Sequence, residues 1–87
     1  IMMEKSIKVQ LTEGLQARPI AMLVQVASQH ESSVYIEADG KKVNAKSIMG
    51  MMSLSLGSGE SLKVIADGAD EEAAIQDIES YLSGKEQ

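Results

Sequence analysis

Val34-Tyr35-Ile36-Glu37-Ala38-Asp39-Gly40-Lys41-Lys42-Val43-Asn44 is the stretch that decides the fold. Val34, Ile36 and Ala38 alternate with Tyr35 and Glu37, the period of a strand with one buried face. Asp39-Gly40 is the dipeptide that suits a two-residue hairpin turn, so Lys41–Asn44 is predicted to return as the next strand. A hairpin in the middle of an 87-residue chain argues against an all-helical fold. Acyl carriers, which are also small, acidic and modified on serine, are helical and fit poorly on this ground.

Upstream of the hairpin, Ile7, Val9 and Leu11 alternate with Lys8 and Gln10, which predicts a first strand. Thr12-Glu13-Gly14 breaks that pattern. Pro19 suits the first turn of a helix, where its missing N–H costs nothing. Ile20, Ala21, Val24 and Ala27 then follow helical spacing with one buried face. Downstream, residues 46–54 read as a short helix, ended by Gly57-Ser58-Gly59, and Leu62, Val64 and Ala66 as a fourth strand. Asp70-Glu71-Glu72 supplies the acidic first turn that a helix dipole favours. Ala74, Ile75, Ile78, Tyr81 and Leu82 mark the stripe of a terminal helix. The order is β-α-β-β-α-β-α, which predicts one α+β domain over residues 1–87 with helices covering one sheet face. The other face is solvated, which accounts for Lys8, Gln10, Glu37 and Lys63 at alternate strand positions.

Composition narrows the chemistry. Eight Lys and Arg against 13 Asp and Glu give a net charge of −5, the wrong sign for displacing counterions from nucleic acid. No cysteine is present, which removes disulfides, thiolate zinc sites and a thiol nucleophile. A single histidine, His30, excludes a multi-histidine metal centre. It lies at a polar helix end with no acid or glycine loop paired to it in sequence, so a dipole contact explains it better than catalysis. No apolar run reaches the roughly 18 residues of a membrane span, and no secretory h-region follows the start. A cytoplasmic protein is the expectation. Ile1 ahead of Met2 and Met3 reads as an expression remnant or a non-standard start.

Two segments carry candidate chemistry. Gly14-Leu15-Gln16-Ala17-Arg18-Pro19 leads into a helix and holds the chain's one arginine. Unpaired N–H donors beside Arg18 make an anion site or, more simply, a solvated loop. Asn44-Ala45-Lys46-Ser47-Ile48-Met49-Gly50-Met51-Met52 places Ser47 where a helix cap belongs. Ser47 is therefore a cap alone, or a cap that also accepts phosphate. A phosphate there adds about −1.5 to −2 charge at a helix N-terminus, which tolerates it without refolding. Ile48, Met49 and Met52 supply more apolar surface than one short helix hides, while Met51 suits the core.

Both segments, in order and spacing across essentially the whole chain, resemble the HPr family, the small phosphocarriers of the bacterial sugar phosphotransferase system. Gly14-Leu15-x-Ala17-Arg18-Pro19 is similar to the family's active-site motif. Asn44-Ala45-Lys46-Ser47-Ile48-Met49-Gly50 resembles the regulatory-serine motif of its Gram-positive members. The fold this implies is an open-faced sandwich, a four-stranded antiparallel sheet under three helices. The position that holds the phosphate-accepting histidine in the carriers is Gln16 here. A carboxamide has no basic nitrogen to attack a phosphoryl group. Glutamine at that position resembles the catabolite-repression branch of the family in Bacillus-type bacteria. The resemblance implies a regulator without enzymatic activity or cofactor. HPr kinase/phosphorylase would phosphorylate Ser47, and the phosphorylated protein would act as corepressor of the LacI-type repressor CcpA. Arg18 and Lys46 would neighbour the phosphate, with Ile48, Met49 and Met52 as the apolar anchor. The alternative is a true phosphocarrier, against which Gln16 stands. A homodimer formed by exchange of the first strand, hinged at Thr12-Glu13-Gly14, is a further option. DNA contact would come through the repressor.

Overall fold

Asp39 and Gly40 both adopt positive φ, at 53° and 74°, the conformation a two-residue type I′ turn requires. The turn joins β2 (Ser33–Ala38) to β3 (Lys41–Asn44) with Ala38 opposite Lys41. A computed structural model describes residues 2–12 and 14–84 of the chain. The remaining elements are β1 (Met2–Lys8), α1 (Ala17–Ser28), α2 (Ile48–Met52), β4 (Ser61–Asp67) and α3 (Glu71–Leu82). The strands form one antiparallel sheet in the order β1-β4-β2-β3, with the helices on one face. Ile1 lies outside the described residues, as does Glu13 of the proposed hinge.

The core is aliphatic. Ile7 of β1, Val34 and Ile36 of β2, and Leu62, Val64 and Ala66 of β4 meet Ile20, Leu23, Val24 and Ala27 of α1. Ala74, Ile75, Ile78 and Leu82 of α3 complete it. On the open face Lys63 lies between Glu4 at 3.4 Å and Glu37 at 3.7 Å. Lys42 Nζ stands 5.0 Å from the Tyr35 ring centroid, within cation–π reach. Among the described residues no helix is long and apolar enough to cross a membrane.

Four details depart from the sequence reading. First, β1 covers Met2–Lys8 rather than the residues around Val9 and Leu11. Val9 and Leu11 are buried in the core, but past Lys8 the backbone leaves β4: Gln10 N–H donates to Leu82 O at 2.8 Å. Gln10 is therefore not a strand position on the solvated face. Secondly, the buried stripe of α1 runs through Leu23, whereas Ala21 is exposed. Thirdly, α2 is one turn and a half, since Ser53 already serves as its C-cap. Fourthly, Ile65 is buried although it alternates outward, paired across the sheet with Glu4 and Tyr35.

Candidate functional site

The first segment is fixed by backbone bonds. Leu15 N–H donates to Leu56 O at 2.8 Å, stitching the entry of α1 to the chain that follows α2. Gly14 has φ +73°, and a Cβ there would lie 2.6 Å from Leu56 O. Only glycine accepts both the left-handed conformation and that approach. The stitch leaves Gln16 at the N-cap position of α1, exposed, with φ −104° and ψ −171°. Its backbone is extended, and its side chain does not cap the helix. Pro19 sits in the first turn as its spacing predicts. Arg18 is exposed and lies close enough to Tyr81 for its charge to act there. Burial lifts the Tyr81 hydroxyl above the ordinary phenol value, and the Arg18 charge offsets part of that rise.

The second segment projects from the edge of the fold. Ser47 is extended at the N-cap of α2, and its Oγ accepts from Gly50 N–H at 3.2 Å. Asn44 Oδ1 accepts from Lys46 N–H at 2.8 Å, shaping the turn between β3 and α2. Met51 is fully buried and anchors the helix. Ile48, Met49 and Met52 are 52%, 86% and 52% exposed, so one short helix is split between a core anchor and an apolar ridge. Met22, on the adjoining helix α1, is also exposed. Its spacing gives no advance signal, because it falls off the stripe that buries α1.

Lys46 makes a contact across the fold. Its Nζ donates to the main-chain carbonyl of His30 at 2.7 Å, tying the approach to α2 onto the C-terminal end of α1. His30 itself is a staple between helices. Its Nδ1 lies 3.1 Å from Asp70 and its Nε2 lies 2.8 Å from Asp77. Asp70 also accepts from the Ser32 hydroxyl, from Ser32 N–H at 2.9 Å and from Glu31 N–H at 3.0 Å. These donors, the Ser32 hydroxyl foremost, hold Asp70 well below the usual carboxylate range against the opposing effect of burial. Asp70 sits at the acidic start of α3, as the sequence predicts, and its carboxylate turns to residues 30–32. His30 is thus consumed by structure, far along the chain from Gln16.

Residues 3–83 match the family profile described as the PTS HPr component phosphorylation site. The chain belongs to the HPr family. Over 81 residues it is 51% identical to the HPr-like protein Crh of Halalkalibacterium halodurans, covering 93% of this chain and 96% of that one. Among solved structures, the phosphocarrier protein HPr from Bacillus anthracis superimposes with a TM-score of 0.89 at 46% identity, covering 93% and 96% of the two chains. Crh from Bacillus subtilis, solved as a swapped and intertwined dimer, gives a TM-score of 0.76 at 48% identity, with 91% of each chain covered.

Within the HPr frame the contrast between the two segments is chemical. The entry of α1 keeps its glycine, its arginine and its helix N-terminus. Gln16 offers there only amide N–H donors and a carbonyl acceptor. Ser47 offers a hydroxyl, half-buried at the head of an exposed apolar ridge.

Proposed function

We propose that this HPr-family chain is a non-enzymatic regulator of carbon catabolite repression, acting as one domain over residues 1–87. HPr kinase/phosphorylase phosphorylates Ser47, and the phosphorylated protein binds a CcpA-type repressor as its corepressor in the cytoplasm. The observation that carries this reading is Gln16 at the start of α1, where phosphoryl transfer needs a basic nitrogen. The similarity to Crh proteins supports it.

The geometry around Ser47 fits a mark that alters the surface and leaves the fold intact. A phosphate on Oγ keeps an oxygen acceptor within reach of Gly50 N–H, so the cap survives modification. The added charge takes the chain from −5 to about −7 and creates a group that arginine or lysine of a partner reads. Ile48, Met49 and Met52 supply the apolar part of the contact, and Arg18 and Lys46 the cations on this chain's side of the phosphate, Lys46 by turning from the His30 carbonyl that holds it in the unmodified protein. The protein also pairs with a second copy of itself. Among the described residues β1 is an edge strand paired with β4, and exchange of such an edge strand gives a dimer.

Incubation with the kinase and ATP, followed by phosphopeptide mapping, tests the modification site. One phosphate on Ser47, absent from Ser47→Ala, is the expected result. Phosphate mapped elsewhere on the wild-type chain contradicts the assignment.

A further inference from the structure

The six methionines are sorted by the fold into different environments, and α2 alone holds both extremes. Met51 is fully buried, while Met49 is 86% exposed and Met52 is 52% exposed. The chain contains no cysteine, so no thiol competes for an oxidant and the thioethers are its softest sulfur groups. We propose that Met49, with Met52 beside it, is an oxidation site through which hydroperoxides switch off the apolar ridge next to Ser47. This rests on the reading of that ridge as the docking surface for the repressor.

The chemistry needs only a hydroperoxide. A lone pair on the thioether sulfur attacks one peroxide oxygen, an S–O bond forms and the O–O bond breaks. The departing hydroxide, or alkoxide from an alkyl hydroperoxide, takes up the hydroxyl proton and leaves as water or an alcohol. Sulfur is oxidised by two electrons, the peroxide is reduced by two, and the product is methionine sulfoxide.

The consequence follows from burial in the complex. A thioether enters an apolar interface at no polar cost, whereas a sulfoxide carries a strong acceptor oxygen that must lose its water. The Ser47 cap does not involve either sulfur, since it joins Ser47 Oγ to Gly50 N–H. Oxidation therefore leaves phosphate on Ser47 in place and removes the docking it was meant to license. The modification is reversible by methionine sulfoxide reductases, which gives the ridge two stable states.

The test uses the full chain, phosphorylated on Ser47 and then titrated with hydrogen peroxide. Peptide mass mapping is expected to find Met49 sulfoxide first, with Met51 still a thioether when Met49 is converted. Binding to the repressor is expected to weaken about tenfold or more, the scale of burying one unpaired polar group. Methionine sulfoxide reductase with dithiothreitol should restore it. Exposed Met2 and Met22 also oxidise, so the same titration is run on a Met49→Leu, Met52→Leu double variant. Whatever that variant's starting affinity, its ratio of treated to untreated binding is expected to stay near one. Unchanged wild-type binding after Met49 conversion overturns the inference, as does an equal loss in the double variant. Oxidation of Met51 in step with Met49 overturns its structural basis. Failure of the untreated phosphorylated protein to bind is a separate result: it removes the docking reading, and the inference falls with it.

Discussion

Lys46 Nζ donates to the main-chain carbonyl of His30 at 2.7 Å, so the residue before Ser47 is anchored to the far end of α1. The anchor is itself held, because both ring nitrogens of His30 face carboxylates of Asp70 and Asp77. A chain of contacts thus runs from the α3 side of the fold to the start of α2. Replacing Lys46 by Met keeps the side chain's apolar length and removes the donor. The expected cost is about 1 kcal/mol, with the fold retained, read as a lower urea midpoint at unchanged slope.

Ser47 serves the unmodified protein as a cap. Ser47→Ala is expected to lower stability by about 1 kcal/mol, because Gly50 N–H loses its acceptor. Ser47→Asp supplies another acceptor and should recover most of that loss. Equal stabilities for wild type and Ser47→Ala in urea titrations would deny the cap.

Two glycines separate backbone strain from steric overlap. Both Gly14 and Gly40 have positive φ, at +73° and +74°, but a Cβ on Gly40 meets open space while one on Gly14 meets Leu56 O at 2.6 Å. Gly40→Ala should cost about 1 kcal/mol from strain alone. Gly14→Ala adds overlap with the chain after α2, for roughly 2–4 kcal/mol in total. Thermal melts of the two variants check the order, and a smaller effect at Gly14 contradicts the stitch at Leu15 and Leu56.

Asp70 sets an acid limit. Its folded-state pKa is depressed, chiefly by the Ser32 hydroxyl, so the unfolded chain takes up a proton at a higher pH than the native one. The contribution is full above the ordinary carboxylate pKa of about 3.9 and is lost as pH falls from there toward the lowered native value. Asp70→Asn should therefore be less stable than wild type at pH 7, with the difference narrowing below about pH 4. Urea midpoints across that range measure it, and a difference that widens on acidification gives the opposite sign.

The hairpin was legible because two independent signals coincide in it: alternation across Val34, Ile36 and Ala38, and a dipeptide that accepts positive φ twice. The outer strand was harder. In β1 the inward row is Met3, Lys5 and Ile7, and Lys5 at the rim bonds Glu79 at 2.8 Å instead of entering the core. An edge strand with a polar inward residue loses its period, while buried Val9 and Leu11 imitate one beyond its end. Of the candidate site, the Ser47 cap was readable from its place before the helix, and the split between Met51 and its neighbours from their excess of apolar surface. The Lys46–His30 contact and the Asp70 cluster were not, since they join residues that only the tertiary fold brings together. No periodicity encodes such pairs.

Phosphate on Ser47 is proposed to create the repressor-binding surface. Titration calorimetry of the repressor with the unmodified protein and with the Ser47-phosphorylated protein tests it most directly. Affinity is expected to be at least about tenfold higher for the phosphorylated form, the scale of one or two charge-assisted hydrogen bonds to the phosphate. Equal affinity of the two forms would contradict it.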